Sequence, residues 1–446
     1  MKRTILYLFA LFLVMPLAAA SEAILGIDGE ESTSVGIYIK DLRTDSVLLD
    51  FNSQLALTPA SVMKCVTSAS VLSLQGGERR FSTRVSLRGG AGSRGVWSGD
   101  LVVHAVADPT LESENFRSRR GFCDSIVAGL RRRGISRIDG SLAVEHSLRQ
   151  QGPVMQWECE DIAWPYGAGL YGFNWRDNCV TVYPNTGRIS PAAPGLEMKT
   201  ERSTAGNDFV RGVGSDLLMV YSRNTRRDWA VKTTVPDPTA VFEAELREKL
   251  QDAGISLGTQ RRSDAEASET DIYTHTSPTY AEILKSLMVR SDNLFAEGML
   301  RSLAPAGLRK DAISREKELW ATRGVNPRYT IINDGSGLTR ANRLSARFIA
   351  GVLEWMASSP SARTYCGFFP RAGREGTMRG FLSKSPLKGR VALKTGSVSS
   401  VQAYAGYCID DDGMPTHVVV VLVNGFFCPR SQVRKGTEQL LEQLFL

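Results

Sequence analysis

Histidine is scarce in this chain of 446 residues, and its four copies are scattered: His104, His146, His275 and His417. No two of them have the spacing of a metal-binding motif, and no Gly-x-Ser-x-Gly nucleophile elbow occurs. These absences disfavour a histidine-dependent hydrolase and a metal centre. We interpret the histidines as structural and expect neither a metal nor a cofactor.

Long apolar runs are missing beyond Ala20, so the sequence predicts no stable membrane span. Residues 1–20 begin with Met1-Lys2-Arg3, continue through a short apolar run and end in an Ala-x-Ala site, which is typical of a secretory signal peptide. An uncleaved anchor is the alternative, and the short run favours cleavage. No cysteine follows the site as a lipoprotein anchor would require. We expect export and a soluble periplasmic protein.

A strong excess of one charge is also absent. The formal net charge of +7 falls to +5 when Lys2 and Arg3 are removed with the signal peptide, because residues 1–20 contain no acid. This mild excess suits an anionic polymer, but no nucleic-acid recognition motif accompanies it, so we expect no nucleic-acid partner. Arg131-Arg132-Arg133 is interpreted as the exposed end of a helix.

No Cys-x-x-Cys occurs among the seven cysteines, which disfavours a zinc or redox site. An odd number leaves at least one thiol unpaired. Cys65 follows Lys64 on an apparently buried helix and is expected to pack as a small apolar side chain. Cys159 with Cys179 is a candidate disulfide, and the sequence leaves the connectivity open.

What the sequence does contain is an ordered set of three short motifs: Ser61–Lys64, Ser291–Asn293 and Lys394–Gly396. A serine followed three residues later by lysine places a hydroxyl and an amine on one face of a helix. If the lysine is desolvated beside other cations, its pKa falls and it can accept the proton of the serine. The set therefore predicts a nucleophile, its base and surrounding binding groups without a histidine.

Local context separates these motifs from chance copies. Ser61 follows Pro59 and precedes an apolar run, which predicts a nucleophile at the start of a buried helix. Ser-x-x-Lys recurs at 385–388, in a polar loop with a proline, and at 314–317, in a charged run that we interpret as a solvated helix face. Ser-x-Asn recurs at 113–115 and 222–224, whereas Lys-Thr-Gly occurs once. The prediction of an active site therefore rests on the three motifs occurring together and in this order.

Strand patterns lie near both ends of the chain. Residues 35–39 and 47–50 predict one hairpin, and 403–408 with 417–423 predict another, followed by an amphipathic helix at 431–446. Strands from both termini with helices between them predict an α+β fold around one antiparallel sheet. Gly396, on a predicted edge strand, indicates a close approach of a ligand backbone, and also a bulge, which is compatible with it.

The middle of the chain is too long for that fold alone, because about half of the sequence lies between Lys64 and Ser291. Residues 80–263 are rich in Gly, Arg and short strands, and we predict a β-rich inserted lobe there with two subdomains. The catalytic domain then comprises residues 21–79 and 264–446, after a signal peptide at 1–20.

The motifs and the insert together resemble the class C low-molecular-mass penicillin-binding proteins, D-Ala-D-Ala carboxypeptidases and endopeptidases of the DacB type. Residues 334–345 look like the family's Asp-Gly-Ser-Gly-Leu-Ser-Arg-x-Asn stretch, 373–378 resemble its Gly-x-x-Gly-Thr-Leu segment, and 107–111 are similar to its Gly-Asp-Pro-Thr-Leu element. Ala107 stands where the family has Gly, and Phe369 where it has Leu. These departures spare the three catalytic motifs.

The resemblance implies a serine β-lactamase/transpeptidase-like domain, with an antiparallel sheet between helical layers and the active site between sheet and helices. It implies that Ser61 attacks the carbonyl between two D-alanines and that Lys64 is the base. Ser291 would relay a proton to the leaving amine, and Lys394 would supply positive potential. The implied partners are a peptidoglycan stem peptide ending in D-Ala-D-Ala and β-lactam inhibitors.

The remaining motif residues are implied to bind substrate. Asn293 would hydrogen-bond an amide carbonyl, Thr395 and Ser397 would hold the terminal carboxylate, and Gly396 would let the substrate backbone approach. Backbone N–H groups of Ser61 and Ser397 would form the oxyanion hole. Whether the protein trims terminal D-alanine, cuts D-alanyl cross-links or does both stays open.

Two alternatives from other classes remain. A β-lactamase would need a dedicated deacylating base, and no Glu-x-x-Leu-Asn segment lies between 293 and 394. A wall-binding or β-lactam-sensing protein with a vestigial site is disfavoured by complete motifs and by the lack of a signalling helix.

Overall fold

The computed structural model describes residues 24–262 and 267–446. The predicted signal peptide at 1–20 lies outside the described residues. Within them, every helix is too short or too polar to cross a membrane.

The strands of the described residues are, in chain order, β1 (Ser34–Asp41), β2 (Val47–Phe51), β3 (Ser82–Ala91), β4 (Val96–Ala105), β5 (Arg137–Ile138), β6 (Leu142–His146), β7 (Cys179–Tyr183), β8 (Arg188–Ser190), β9 (Glu197–Arg202), β10 (Asp208–Val210), β11 (Leu217–Ser222), β12 (Val231–Thr234), β13 (Ser256–Leu257), β14 (Glu269–Thr276), β15 (Val391–Val398), β16 (Val401–Ile409) and β17 (Pro415–Asn424). The helices are α1 (Met63–Gln75), α2 (Phe122–Arg132), α3 (Pro238–Asp252), α4 (Tyr280–Arg290), α5 (Asn293–Ser302), α6 (Arg309–Thr322), α7 (Ala346–Ser358), α8 (Ala362–Cys366) and α9 (Arg430–Phe445).

One antiparallel sheet joins the two ends of the chain, in the strand order β15-β16-β17-β1-β2. Strand β1 pairs with β2 as the first predicted hairpin and with β17 across almost the whole sequence. Strands β16 and β17 form the second hairpin, and β15 lies at the edge beside β16. The predicted assembly of one sheet from both termini is confirmed.

Both faces of strand β17 are buried along most of its length, which explains its unbroken apolar run. Val418, Val420 and Leu422 face the core shared with the helical layer, whereas Val419 and Val421 face a second core under α9. The alternation follows from the two-residue period of a strand. The predicted closing helix is α9, which packs Val433, Leu440 and Leu441 into that second core.

The helical layer surrounds α1, whose residues 63–72 are all buried. Helices α4, α5, α6 and α7 contribute to the same core. Local sequence starts three of them: Thr279 and Glu282 form a capping box before α4, Asp292 caps α5, and Ser345 caps α7. The caps of α4 and α5 fix the positions of these helices, and the predicted motif Ser291–Asn293 lies at the junction between them.

The inserted segment is rich in strands, in three sheets. A six-stranded sheet has the order β13-β5-β4-β3-β14 with β6 beside β4, and two three-stranded sheets have the orders β10-β11-β9 and β12-β7-β8. Helices α2 and α3 pack on a core that the sheets share. Strand β14 pairs with β3 although it lies beyond residue 263, so hydrogen bonding extends the lobe's sheet to Thr276. The division into domains itself stays a prediction.

Two smaller expectations are wrong. All seven cysteines lie among the described residues and are free, with Cys159 exposed and Cys179 buried at the start of β7, so the candidate disulfide is absent. The charged run at 314–318 is not wholly solvated, because Glu316 is fully buried in α6. Helical spacing explains the error, since Glu316 lies on the same face as Ala312, Leu319 and Trp320, which the core covers.

Candidate active site

Ser61 lies in a single turn of 3-10 helix, Ala60–Val62, directly before α1. Ala60 has a φ of 46°, a left-handed conformation that costs a non-glycine residue about 1 kcal/mol. The loop at Gly337 is packed against this turn, since an added Cβ there would overlap the Ala60 carbonyl oxygen. Tertiary contacts therefore hold the strained turn and place Ser61 at the start of a buried helix, as predicted.

Lys64 contacts Ser61 from the first turn of α1. Its Nζ donates hydrogen bonds to Ser61 Oγ at 2.9 Å, to Asn293 Oδ1 at 2.6 Å and to the Ser336 carbonyl oxygen at 2.6 Å. The side chain is fully buried, and desolvation lowers its pKa to about 8, against the opposing attraction of Asp334. The amine is thus near the serine hydroxyl and easier to deprotonate than an exposed lysine.

The second motif occupies the junction between α4 and α5. Ser291 ends α4 with a φ of 62°, and Asp292 caps α5 by accepting from the Phe295 N–H at 2.9 Å. This reversal directs Asn293 towards Lys64. The Asn293 Nδ2 donates to the Tyr166 carbonyl oxygen at 2.8 Å, so the inserted lobe fixes the amide orientation. Asp292 therefore has a structural role at the start of the helix.

Lys394 joins the second motif to the third. Its Nζ lies 3.0 Å from Ser291 Oγ and 2.7 Å from the Thr395 carbonyl oxygen. Burial and the neighbouring charge of Lys64 lower the pKa of Lys394 to about 7. Neither lysine forms an ion pair with a carboxylate among the described residues, so hydrogen bonds and more distant acids offset only part of the cost of burying two amines in one site.

Strand β15 presents the third motif on an open edge. The Val391 carbonyl accepts from the Ala372 N–H, and the Leu393 N–H donates to Pro370, both on the side away from β16. Backbone groups alternate along an antiparallel strand, so those of Thr395 and Ser397 also point away from β16. This edge can pair with an extended peptide.

Gly396 serves a purpose that sequence reasoning missed. The ladder runs through it without a register shift, so it is not a bulge. An added Cβ would lie 2.7 Å from the Pro59 carbonyl oxygen and 2.9 Å from the Ser61 nitrogen. The nucleophile turn therefore approaches strand β15 so closely that this position requires glycine.

Glu297 is a second residue that the sequence reasoning missed. It is fully buried on α5, and its Oε1 accepts from the N–H groups of Gly335 and Ser336 at 2.9 and 3.0 Å. These bonds hold the Ser336 carbonyl that accepts from Lys64. Its position four residues after Asn293, on the same helix face, was the available signal.

Asp334 organises the loop beside the site. It is fully buried and accepts from the Gly337 N–H, the Asn342 side chain and the Trp157 indole, the last at 2.9 Å. These contacts fix the shape of the loop. Trp157 lies in the segment 80–263 that is predicted to form the inserted lobe, and this segment contributes to the loop.

The chance copies of Ser-x-x-Lys lie apart from this cluster. Ser314 is exposed on α6, and Lys317 donates to the Thr330 carbonyl oxygen. Ser385 and Lys388 lie in successive turns before β15. The structure brings together Ser61, Lys64, Ser291, Asn293 and Lys394, in agreement with the order and context of the motifs.

A half-buried serine bonded to a fully buried lysine, between an antiparallel sheet and a helical layer, defines a serine acyl-transferase type of site. The model of the D-Ala-D-Ala carboxypeptidase 3 (S13) family matches residues 18–444, and the chain belongs to this family. It is an enzyme of the serine peptidase type, with an α+β fold.

Two curated relatives cover most of the chain. A D-alanyl-D-alanine carboxypeptidase of Actinomadura sp. (strain R39) is 28% identical over 433 residues, covering 88% of this chain and 78% of the relative. The D-alanyl-D-alanine carboxypeptidase DacB of Haemophilus influenzae is 24% identical over 424 residues, covering 89% and 86%.

Solved structures show the same fold. Penicillin-binding protein 4 (DacB) of Haemophilus influenzae superimposes with a TM-score of 0.77 at 22% identity, over 93% of this chain and 97% of that one. A penicillin G-acylated predatory endopeptidase of Bdellovibrio bacteriovorus, bound to its immunity protein, matches with a TM-score of 0.52 at 16% identity, over 92% of each chain.

Proposed function

We propose that this enzyme hydrolyses the peptide bond between two D-alanine residues, or a D-alanyl cross-link, in peptidoglycan stem peptides through an acyl-enzyme on Ser61. The observation that carries the proposal is the 2.9 Å contact between Ser61 Oγ and the buried amine of Lys64. A neutral lysine at this distance can accept the hydroxyl proton as the oxygen attacks the D-alanyl carbonyl.

The remaining groups complete the acylation step. A bond forms between Ser61 Oγ and the carbonyl carbon, and the amide C–N bond breaks. The proton passes from Lys64 to the leaving amine through Ser291, whose hydroxyl lies 3.0 Å from Lys394 Nζ. Backbone N–H groups of Ser61 and Ser397 would stabilise the oxyanion, a contribution of about 3–4 kcal/mol for one donor. Water then hydrolyses the ester by the reverse proton route.

Substrate binding is assigned to the edge of β15 and the helix junction opposite. The substrate backbone would pair with the open edge at Thr395 and Ser397, whose hydroxyls would hold the terminal carboxylate. Asn293 would bind an amide carbonyl, although its own amide is already fixed by Tyr166 and Lys64. β-Lactams mimic the same acyl donor and would acylate Ser61.

The deciding experiment is intact-mass analysis of the mature protein after brief exposure to benzylpenicillin, with Ser61→Ala as control. We expect one long-lived adduct that the Ala variant lacks, together with release of D-alanine from a pentapeptide substrate. Rapid drug turnover without a lasting adduct would instead establish a β-lactamase. Complete inertness would establish a vestigial binding protein.

Export to the periplasm belongs to the same proposal, because the substrate lies outside the cytoplasm. It is supported by the signal-peptide pattern of residues 1–20. Cell fractionation of the full chain, and N-terminal sequencing of the exported form, would test it. A protein retained in the cytoplasm with Met1 in place would contradict it.

A further inference from the structure

A groove of about 410 Å³ adjoins the candidate active site on the α9 side of the sheet. Thr395 and Ser397 line it, and these are also the outward residues of the open edge of β15. The groove therefore begins where a bound peptide would leave the catalytic residues.

Two arginines from the first turns of α9 form the far wall of this groove. Arg430 donates to the Val398 carbonyl oxygen at 2.8 Å, and Arg434 Nε lies 3.5 Å from Glu438 Oε1. Glu438 already accepts from the Leu382 N–H at 2.9 Å, and Arg430 has no carboxylate partner among the described residues. None of the described residues that line the groove is an aspartate or glutamate, so Arg430 gives the groove a positive charge that Glu438, outside the lining, offsets only at Arg434.

Ordered side chains form the rest of the groove. The Thr395 hydroxyl donates to Thr377 Oγ1, and the Ser397 hydroxyl donates to the Gln402 side chain, both at 2.8 Å. Phe381 and Tyr404 form the floor of the groove. Their ring centroids lie 4.8 Å apart, and both side chains are almost completely buried. The groove thus combines a rigid floor, hydroxyl groups and two cations.

We propose that this groove is a subsite for the leaving peptide, and that Arg430 and Arg434 select leaving groups that carry a carboxylate beyond the first. The inference rests on the proposed function. The leaving group of a terminal D-Ala-D-Ala cleavage is one D-alanine with one carboxylate, which the hydroxyls of Thr395 and Ser397 can hold. A D-alanyl cross-link releases a whole second peptide, with further carboxylates to place.

The arrangement therefore favours cross-linked stem peptides over terminal D-alanine. Only the longer leaving group needs space beyond the site that holds the first carboxylate. The two guanidinium groups can bind the further carboxylates of that peptide. Because both arginines are exposed, the preference is modest and falls with salt.

The test compares kcat/KM for a monomeric pentapeptide and for a cross-linked muropeptide dimer, in the full chain. For the double variant Arg430→Gln/Arg434→Gln we expect a loss of about tenfold on the dimer, at low salt, and less than about twofold on the pentapeptide. The variant Arg430→Lys/Arg434→Lys should retain most of the dimer activity. Lys435→Gln, an exposed change on the same helix outside the groove, should alter neither substrate.

The rate of acylation by benzylpenicillin reports the proposed function separately. If the wild type is acylated but both substrates lose activity equally in the double Gln variant, the arginines hold the terminal carboxylate and the subsite proposal is overturned. Unchanged dimer cleavage in that variant, or no dimer cleavage by the wild type, also overturns it. If benzylpenicillin leaves Ser61 unmodified, the proposed function itself fails.

Discussion

At the scale of single residues, the site is dominated by two fully buried lysines that lack a carboxylate partner among the described residues. Lys64 contacts the nucleophile and Lys394 contacts Ser291. Desolvation lowers the pKa of both amines, so their charge can change near neutral pH. This is the property that a lysine base needs.

We expect the second-order rate of benzylpenicillin acylation to rise with pH through the Lys64 pKa of about 8. The base is the neutral amine, which predominates above its pKa, so the acylation rate should increase as the pH rises. Stopped-flow or quenched mass analysis between pH 6 and 10 measures it. A flat profile would contradict Lys64 as base. Lys64→Arg should be inactive throughout, because a guanidinium does not deprotonate in this range.

Gly396→Ala should lower the acylation rate by about 100-fold. The added Cβ would fall 2.9 Å from the Ser61 nitrogen, so the nucleophile turn or strand β15 must move, and displacements of about 1 Å cost rates of this size. The adduct rate with benzylpenicillin measures the effect. Gly90→Ala is the matched control. Gly90 is an exposed strand residue, and an added Cβ there would have no heavy atom within 4 Å. Equal rates in both variants would refute the packing role of Gly396.

At the scale of elements, helix α6 places a glutamate, Glu316, on the face that packs against the core. Glu316 is fully buried and has no ion pair among the described residues, and burial raises the pKa of Glu316 to about 8. The folded state therefore binds a proton between about pH 4.5 and 8 that the unfolded chain has released. Stability from this group is present at low pH and is lost as pH rises through 8.

Glu316→Gln should remove this part of the pH dependence. We expect the variant and the wild type to have similar free energies of unfolding at pH 5, and the variant to be more stable by about 1–3 kcal/mol at pH 8.5. Urea denaturation at both pH values measures the difference. Glu318→Gln, an exposed acid two residues later, should leave the wild-type pH dependence unchanged. A constant difference at the two pH values would contradict the buried-acid interpretation.

Much of the catalytic domain could be predicted because its signals are local. Thr279 and Asp292 mark helix starts through their own side chains, and the strands β1 and β17 show in runs of apolar residues. The motif serines and lysines were identifiable because their spacing along helix and strand is fixed by geometry. Hence the candidate site was predictable to the level of its main side chains.

What escaped prediction depends on contacts between distant segments. The membership of β14 in the lobe's sheet is set by pairing with β3, and the use of Gly396 is set by the Ser61 turn, near the other end of the sequence. Glu316 and Cys179 were misjudged because burial of a single position depends on what packs above it. Tyr166 contacts Asn293 through its carbonyl, which no side-chain pattern reveals.

At the scale of the whole molecule, the inserted lobe contributes directly to the site. The Tyr166 carbonyl accepts from Asn293, the Asn115 amide donates to Asp292 at 3.2 Å, and the Trp157 indole donates to Asp334. Each contact reaches a residue that holds a catalytic motif or its neighbouring loop. The segment of the predicted lobe therefore helps to hold the geometry of the site.

Trp157→Phe should test this coupling. The change removes the indole donor from Asp334, which is fully buried, and an unmade hydrogen bond to a charged group costs about 1–3 kcal/mol. We expect that loss in the free energy of unfolding together with slower benzylpenicillin acylation. Trp229→Phe, in the same lobe where the ring packs against Phe209, is the control and should leave acylation unchanged. Full acylation in Trp157→Phe would show that the lobe does not act through Asp334.

The pairing of β1 with β17 determines when, during synthesis of the chain, the active site can form. The nucleophile Ser61 is synthesised early, but Lys394 and the strand that carries it are among the last parts of the chain to be made, and β1 gains its partner only after that. A growing chain therefore holds a serine without its second lysine, its substrate edge or the central strand pair. Hydrolytic activity should emerge only on completion of translation, and any truncation before residue 424 should yield a silent protein.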